Sequence, residues 1–247
     1  MLRYSISRSW KYLIQVNQDL ARFLELNQLS AANVSATLIQ VRVEITTDSI
    51  TASQMVLSVK DFNEIIKKAN VKVGQILFNS LDELTLTFQT QISTAFKEYC
   101  VMNRRPDLQL ASFELEFENA LKLKVQNNDL EIHNQFNMNV VHDLPTDDAA
   151  THGHDMKIGV ALAFKNWSTH PYLTSLQRFS SELKSKTQAL LLEPLHKTKL
   201  NRHFLSPTGE QISAYFYSGL LKTKLGPYLK EVRVFETQKN QYSATEI

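Results

Sequence analysis

Only one cysteine, Cys100, occurs in the 247 residues. An internal disulfide framework is therefore excluded, and the composition suits a reducing compartment. Glycine and proline are scarce, at six each, which argues against long flexible linkers. Neither sign of charge dominates: 27 Lys and Arg against 25 Asp and Glu leave a formal net charge of +2. Such a chain has no broad field to draw in nucleic acid. No apolar run approaches the roughly 18 to 20 residues that span a bilayer. The opening MLRYSISRSWKYLIQV carries basic residues but neither a continuous apolar core nor a clear cleavage site. The expectation is a soluble, cytoplasmic protein with no nucleic-acid or membrane partner. Histidine is missing from the first 132 residues, so any imidazole chemistry belongs to the second half.

What is present supports a sizeable core: 43% of the residues are hydrophobic. The length allows one large domain or two of about 120 residues. The pattern favours two similar halves. In the first, Thr37 to Ile45 (TLIQVRVEI) reads as a strand, as does Met55 to Val59. Helical spacing follows from Asp61 to about Leu77 and from Leu81 to Tyr99, the latter with Leu84, Phe88, Ile92, Ala95, Phe96 and Tyr99 on one stripe. Leu108 to Val125 alternates polar and apolar residues, as a strand with one packed and one wet face would. The second half repeats the order. Glu131 to Val141 and His154 to Phe164 read as strands, Thr174 to Leu192 and Pro207 to about Leu225 as helices, and Glu231 to Thr237 as a closing strand. Thr208 is a candidate N-cap with Gln211 completing a capping box. ELEFEN (114–119) lies over VRVFET (232–237), placing Glu118 against Glu236. This indicates an internal duplication, divided at the polar stretch Gln126-Asn127-Asn128-Asp129. Each half is then an α+β domain, an antiparallel sheet covered on one face by two helices.

Three of the seven histidines suggest a metal site. His152 and His154 occupy i and i+2 of a strand, so both side chains would share one face. His142 closes the preceding apolar stretch, and a return over residues 143–151 would bring it beside the pair. Three imidazoles suit Zn(2+) and leave a fourth position open. The remaining His133, His170 and His203 read as surface residues, whereas Phe88, Phe96 and Phe179 read as core.

Four segments of the second half resemble the family of 6-pyruvoyl-tetrahydropterin synthase and 6-carboxytetrahydropterin synthase. QFNMNVVHDL is similar to a first strand ending in a zinc histidine, and THGHDMKIGV to the HGH strand supplying the other two. SPTGEQISAYF resembles a Pro-Thr-x-Glu-Asn helix start, and KEVRVFETQKNQYS the last strand, whose Glu-Thr anchors the pterin ring. The resemblance implies two tandem T-fold (tunnelling-fold) domains: a degenerate repeat over 1–127, with Ser35 and Thr37 in place of the HGH histidines, and a zinc-binding domain over 128–247. It further implies sheets associating into a homo-oligomeric barrel. Metal ligands would be His142, His152 and His154, and substrate-binding residues Glu236, Thr237 and Thr208. A cupin site also uses an H-x-H strand, but the glutamate and glycine-rich barrel sequence it wants are not visible.

Two departures bear on the reaction. Asp148 stands where the family has its catalytic cysteine, four residues before the HGH motif, and Cys100 lies in the other half. The Leu-Asp-His element is altered to Leu195-His196-Lys197, so His196 falls on the aspartate. Asp148 and His196 are thus the candidates for proton transfer, with Asp147 beside them. Lys197, Lys199 and Arg202 could receive a triphosphate tail or simply be a solvated loop. The expected function is a zinc-dependent carbon–oxygen lyase acting on 7,8-dihydroneopterin triphosphate or a related pterin, in queuosine or tetrahydrobiopterin biosynthesis. The alternative is a catalytically degenerate pterin- or purine-binding protein that keeps the zinc and the anchor. A closed structural zinc site gains ground only if Asp148 is a fourth ligand.

Overall fold

The computed structural model describes residues 3–24, 34–48, 56–73, 76–118, 121–143, 152–169, 175–192, 194–195, 197–236 and 240–245; at 34–35, 70–73, 152, 154 and 190–192 it describes the backbone alone. The chain forms two compact units, one of Met1–Leu130 with Lys165–Gln177, the other of Glu131–Phe164 with Arg178–Ile247.

In the first unit β1 (Tyr4–Asn17) leads into α1 (Gln18–Phe23), then β2 (Val34–Thr47), α2 (Val59–Val73), β3 (Leu77–Phe78), α3 (Leu81–Met102), β4 (Leu108–Glu116) and β5 (Lys122–Gln126). The sheet order is β3-β1-β2-β4-β5. Successive pairs are antiparallel except β1 with β3, which run parallel over two residues. Period-2 alternation sends Tyr12, Ile14 and Val16 of β1, and Ile39, Val41, Val43 and Ile45 of β2, into the core. Helices close that face. Trp10 meets Phe62 of α2 with ring centroids 5.2 Å apart, and Tyr12 meets Phe88 of α3 edge-on at 5.6 Å. The opposite face is wet: Leu13 and Leu38, a cross-strand pair, are exposed.

Several local expectations change here. Val56 and Leu57 do not extend a strand; Ser58 begins a helix instead. Its hydroxyl accepts from the Asp61 N–H at 3.1 Å, which satisfies a donor that a helix start leaves orphaned. Met55 lies outside the described residues. The run from Leu108 to Val125 is two antiparallel strands, closed by the Phe117 N–H to Leu121 carbonyl bond at 2.9 Å. The strand β1, over residues given no secondary structure from sequence, and the short β3 were not anticipated. The α3 helix does match its stripe and starts at Ser80, whose hydroxyl accepts from the Glu83 N–H at 3.1 Å.

The second unit contains β6 (Asp129–His142), β7 (His152–Phe164), α4 (Leu176–Lys186, continued as a wider turn over Thr187–Leu192), α5 (Gly209–Leu221), β8 (Leu229–Phe235) and β9 (Gln241–Thr245). Its strands follow the order β6-β7-β8-β9, and β9, which the pattern did not reveal, pairs antiparallel with β8. Alternate residues of β6 (Leu130, Ile132, Phe136, Met138, Val140) and of β7 (Met156, Ile158, Val160, Leu162) are buried. Ile212, Phe216 and Leu220 of α5 are likewise buried. Polar residues share the packed face, Asn134 among them. Asn134 is buried and donates to the Ser180 hydroxyl of α4 at 3.2 Å, so neither group is left unmet. At the far end Phe164 packs on Phe179 at 5.1 Å and stacks on Tyr228 at 4.8 Å. The wet face carries Asn139 of β6, hydrogen-bonded to Asp155 of β7. Among the described residues no helix is long and apolar enough to cross a membrane.

Candidate functional site

The alternation that buries Met138 and Val140 continues to the last residue of β6 and puts the His142 imidazole on the packed face, fully buried. Beside it runs the HGH segment. The Gly153 backbone lies against Val140 and Val141, so the start of β7 passes the end of β6 that bears His142. Side chains at 152 and 154 lie outside the described ones. Among the described residues no cluster of three metal-ligand side chains is present. The donor set fits zinc in kind: one imidazole is withdrawn from water, with two more expected on the neighbouring strand.

His142 Nε2 stands 3.8 Å from Oε1 of Glu236, which is beyond hydrogen-bond range. Glu236 directly follows β8. Its backbone N–H donates to the Asn240 carbonyl at 3.2 Å, closing the turn that returns the chain as β9. The hairpin brings Tyr242 alongside, with its hydroxyl 3.5 Å from Glu236 Oε2. Burial, and then the negative charges of Glu236 and Glu210, push the Tyr242 phenol above its ordinary pKa. It therefore stays a donor at neutral pH. The Tyr242 ring lies over the start of α5. A Cβ built on Gly209 would fall 1.9 Å from its Cδ2 atom, so only glycine admits the ring there. Thr208 caps that helix, its hydroxyl accepting from the Gln211 N–H at 3.4 Å. The reciprocal half of the expected capping box is replaced, because the Thr208 N–H donates to the Ser206 carbonyl at 2.8 Å.

A third wall comes from the segment after α4. Lys197 N–H donates to the Asn139 carbonyl at 2.7 Å and Val141 N–H to the Thr198 carbonyl at 3.2 Å. Asn201 clasps the Asp143 backbone, accepting at 2.8 Å and donating at 3.2 Å. Lys199 pairs with the Asp143 carboxylate at 2.5 Å. The backbone at Lys197 and Thr198 is thus bound along the strand that ends in His142. Lys199 is committed to Asp143, whereas Arg202 is exposed.

Of the residues singled out from sequence, the structure brings together His142, Glu236 and the capped start of α5 at Thr208 through Tyr242. Asp147, Asp148, His170, His196 and Thr237 lie outside the described residues. His133 is half-buried and bonds Glu131 at 3.0 Å, and His203 is exposed. Glu118, aligned with Glu236, is also exposed. Tyr242 and Asn201 were missed as members of the site. Neither sits in a spacing that carries chemistry, and both arrive through tertiary pairing. The first unit holds a separate cavity of about 270 Å³ lined by Gln89, Ser93, Phe96, Lys97, Ser112 and Asn127 among others. None of the candidate site residues borders it.

Comparison with known proteins bears on the second half. Residues 131–246 match the family model described as 6-pyruvoyl tetrahydropterin synthase. That span contains all four resembling segments. Among solved structures, the Caenorhabditis elegans 6-pyruvoyl tetrahydropterin synthase is similar at 16% identity, covering 48% of this chain and 96% of that one, with a TM-score of 0.41. The Plasmodium falciparum 6-pyruvoyl tetrahydropterin synthase is similar at 14% identity, covering 49% and 99%, with a TM-score of 0.38. A hyper-thermostable AgUricase mutant is similar at 10% identity over 89% of this chain and 87% of that one, with a TM-score of 0.43. No curated protein sequence matches the chain.

Proposed function

We propose that residues 128–247 form a zinc-dependent lyase of the tetrahydropterin-synthase kind, acting on 7,8-dihydroneopterin triphosphate or a related pterin. The observation that most supports this is the fully buried imidazole of His142 beside the Glu236 carboxylate, inside the span that matches the family model. His142, His152 and His154 would hold the metal. Zinc bound there supplies a Lewis acid for the substrate's side-chain oxygens. Glu236, with Thr237, would accept the two adjacent N–H groups of the pterin ring in a bidentate grip. Thr208 fixes the helix start against which that ring would lie. The reaction also needs a base and an acid on opposite sides of the substrate side chain. Asp148 and His196 would take those roles, Asp148 only if its site raises its pKa toward neutrality. The first half, residues 1–127, would serve as the second T-fold of a tandem pair, without metal, so that a homo-oligomeric barrel needs fewer chains.

The departure at Asp148 favours a second reading. With the cysteine replaced, the same site would hold a pterin or purine without turnover. Metal analysis of protein purified without added metal tests the common premise. About one zinc per chain is expected, lost in a His152→Ala/His154→Ala variant and kept in Glu236→Gln. Loss in Glu236→Gln as well would make Glu236 a ligand instead of an anchor. No zinc in the unaltered protein, even after zinc is supplied, would sink the lyase reading. Consumption of 7,8-dihydroneopterin triphosphate then separates enzyme from binding protein.

A further inference from the structure

We propose that Tyr242 is a positioning residue that aims the Glu236 carboxylate and thereby sets the preference of the site for rings with a 2-amino group; this rests on Glu236 being the ring anchor. Glu236 is the first residue after β8, and its side chain has three rotatable bonds before the carboxylate. A grip on two ring N–H groups needs that carboxylate in one orientation. The described surroundings of the carboxylate supply a hydroxyl on one side and an imidazole on the other: Tyr242 Oη at 3.5 Å from Oε2, and His142 Nε2 at 3.8 Å from Oε1. Each carboxylate oxygen has two lone pairs, so a bond from the phenol leaves both oxygens able to accept from a ligand.

The phenol is itself held. Its ring fills the notch at Gly209, where a Cβ would stand 1.9 Å from Cδ2 and 2.4 Å from Cγ and Cε2. The strand β9 fixes its backbone through the pair Val234 with Tyr242. The start of α5, the tyrosine and the carboxylate are thus a chain of contacts, and the glycine is a condition for it.

The test compares pterin with lumazine, in which the 2-amino donor is replaced by a carbonyl acceptor. Binding is measured by calorimetry on the full chain for the unaltered protein and for Tyr242→Phe, Gly209→Ala and Glu236→Gln, with circular dichroism as a check on folding. The unaltered protein should prefer pterin. Tyr242→Phe should reduce that preference about threefold to tenfold, the size of one ordinary hydrogen bond, as the long 3.5 Å contact warrants. Gly209→Ala, which displaces the ring, should do the same, and the two changes together should do no more than either. Loss of affinity for both ligands alike, with the ratio intact, would mean that Tyr242 only fills space, and would overturn the proposal. So would an unchanged ratio and affinity in Tyr242→Phe while Glu236→Gln loses pterin. If Glu236→Gln binds pterin as well as the unaltered protein, the anchor reading fails and takes this proposal with it.

Discussion

Gly226 offers a sharp test of how tightly the second unit is packed. It opens the short turn Gly226–Tyr228 that joins α5 to β8. A Cβ there would lie 2.2 Å from the carbonyl oxygen of Leu221 and 3.0 Å from its carbon. The obstacle is backbone at the end of a helix, so it cannot rotate away. Relief requires a displacement of about 1 Å. The Gly226 N–H to Thr223 carbonyl bond (3.1 Å) and the Tyr228 N–H to Leu225 carbonyl bond (2.9 Å) lie in its path. So does the stacking of Tyr228 on Phe164 at 4.8 Å. Overpacking of this kind costs about 1–3 kcal/mol, and a strained hydrogen bond adds about 1 kcal/mol. Gly226→Ala should therefore destabilise by about 2–4 kcal/mol, read as a lower urea midpoint by far-ultraviolet circular dichroism. Gly153→Ala is the matched control. Its nearest atom, the Val140 carbonyl oxygen, would be an ordinary 3.6 Å away. Replacing a strand glycine there should leave stability unchanged or raise it by about 0.5–1 kcal/mol. A Gly226→Ala midpoint equal to that of the unaltered protein would refute the reasoning.

Three further outcomes are expected. Ser180→Ala should cost about 1–3 kcal/mol, because it strands the buried Asn134 amide; an unchanged midpoint would place water or another acceptor there. The Glu131 carboxyl is lowered to about 2, first by its hydrogen bond from His133 and then by Lys230. A lowered folded pKa gives stability that is complete above the unfolded value and is lost as pH falls toward 2. Glu131→Gln should accordingly narrow the stability difference between pH 6 and pH 3, and an identical acid profile would discount the pair. Burial, and then the charge of Asp107, push the Cys100 thiol up, so alkylation at pH 7 should be markedly slower in the folded protein than in urea. Equal rates would contradict that placement.

Much of the fold was legible because period and burial coincide. The stripe of α3 named its own buried face; the sequence placed His142 only at the end of an apolar stretch, and it is the structure that carries the alternation of Phe136, Met138 and Val140 on to it. The errors fall where a local signal was weak or ambiguous. Val56 and Leu57 look like strand, but the Ser58 hydroxyl tips the next residues into a helix. The alternation of Leu108 to Val125 continues across its own turn, so two strands read as one. β1 shows period 2, but Arg8 on its inner register and Leu13 on its outer one blur the alternation.

The candidate site divides along the same line. Sequence alone determined its residue types, since histidines spaced two apart on a strand and a glutamate closing another strand are properties of short segments. It also determined that the first half has no histidine to offer. Only the tertiary structure decided what those groups meet. Glu236 reaches Tyr242 because β8 turns back as β9, and Tyr242 keeps its place because Gly209, more than thirty positions earlier in the chain, lacks a side chain. Asn201 reaches Asp143 across 58 positions for a similar reason. Periodicity reports which face a residue shares with its near neighbours in sequence. It carries no information on which distant backbone will pass within a few ångströms, because that depends on how whole faces fit once water has been excluded from between them.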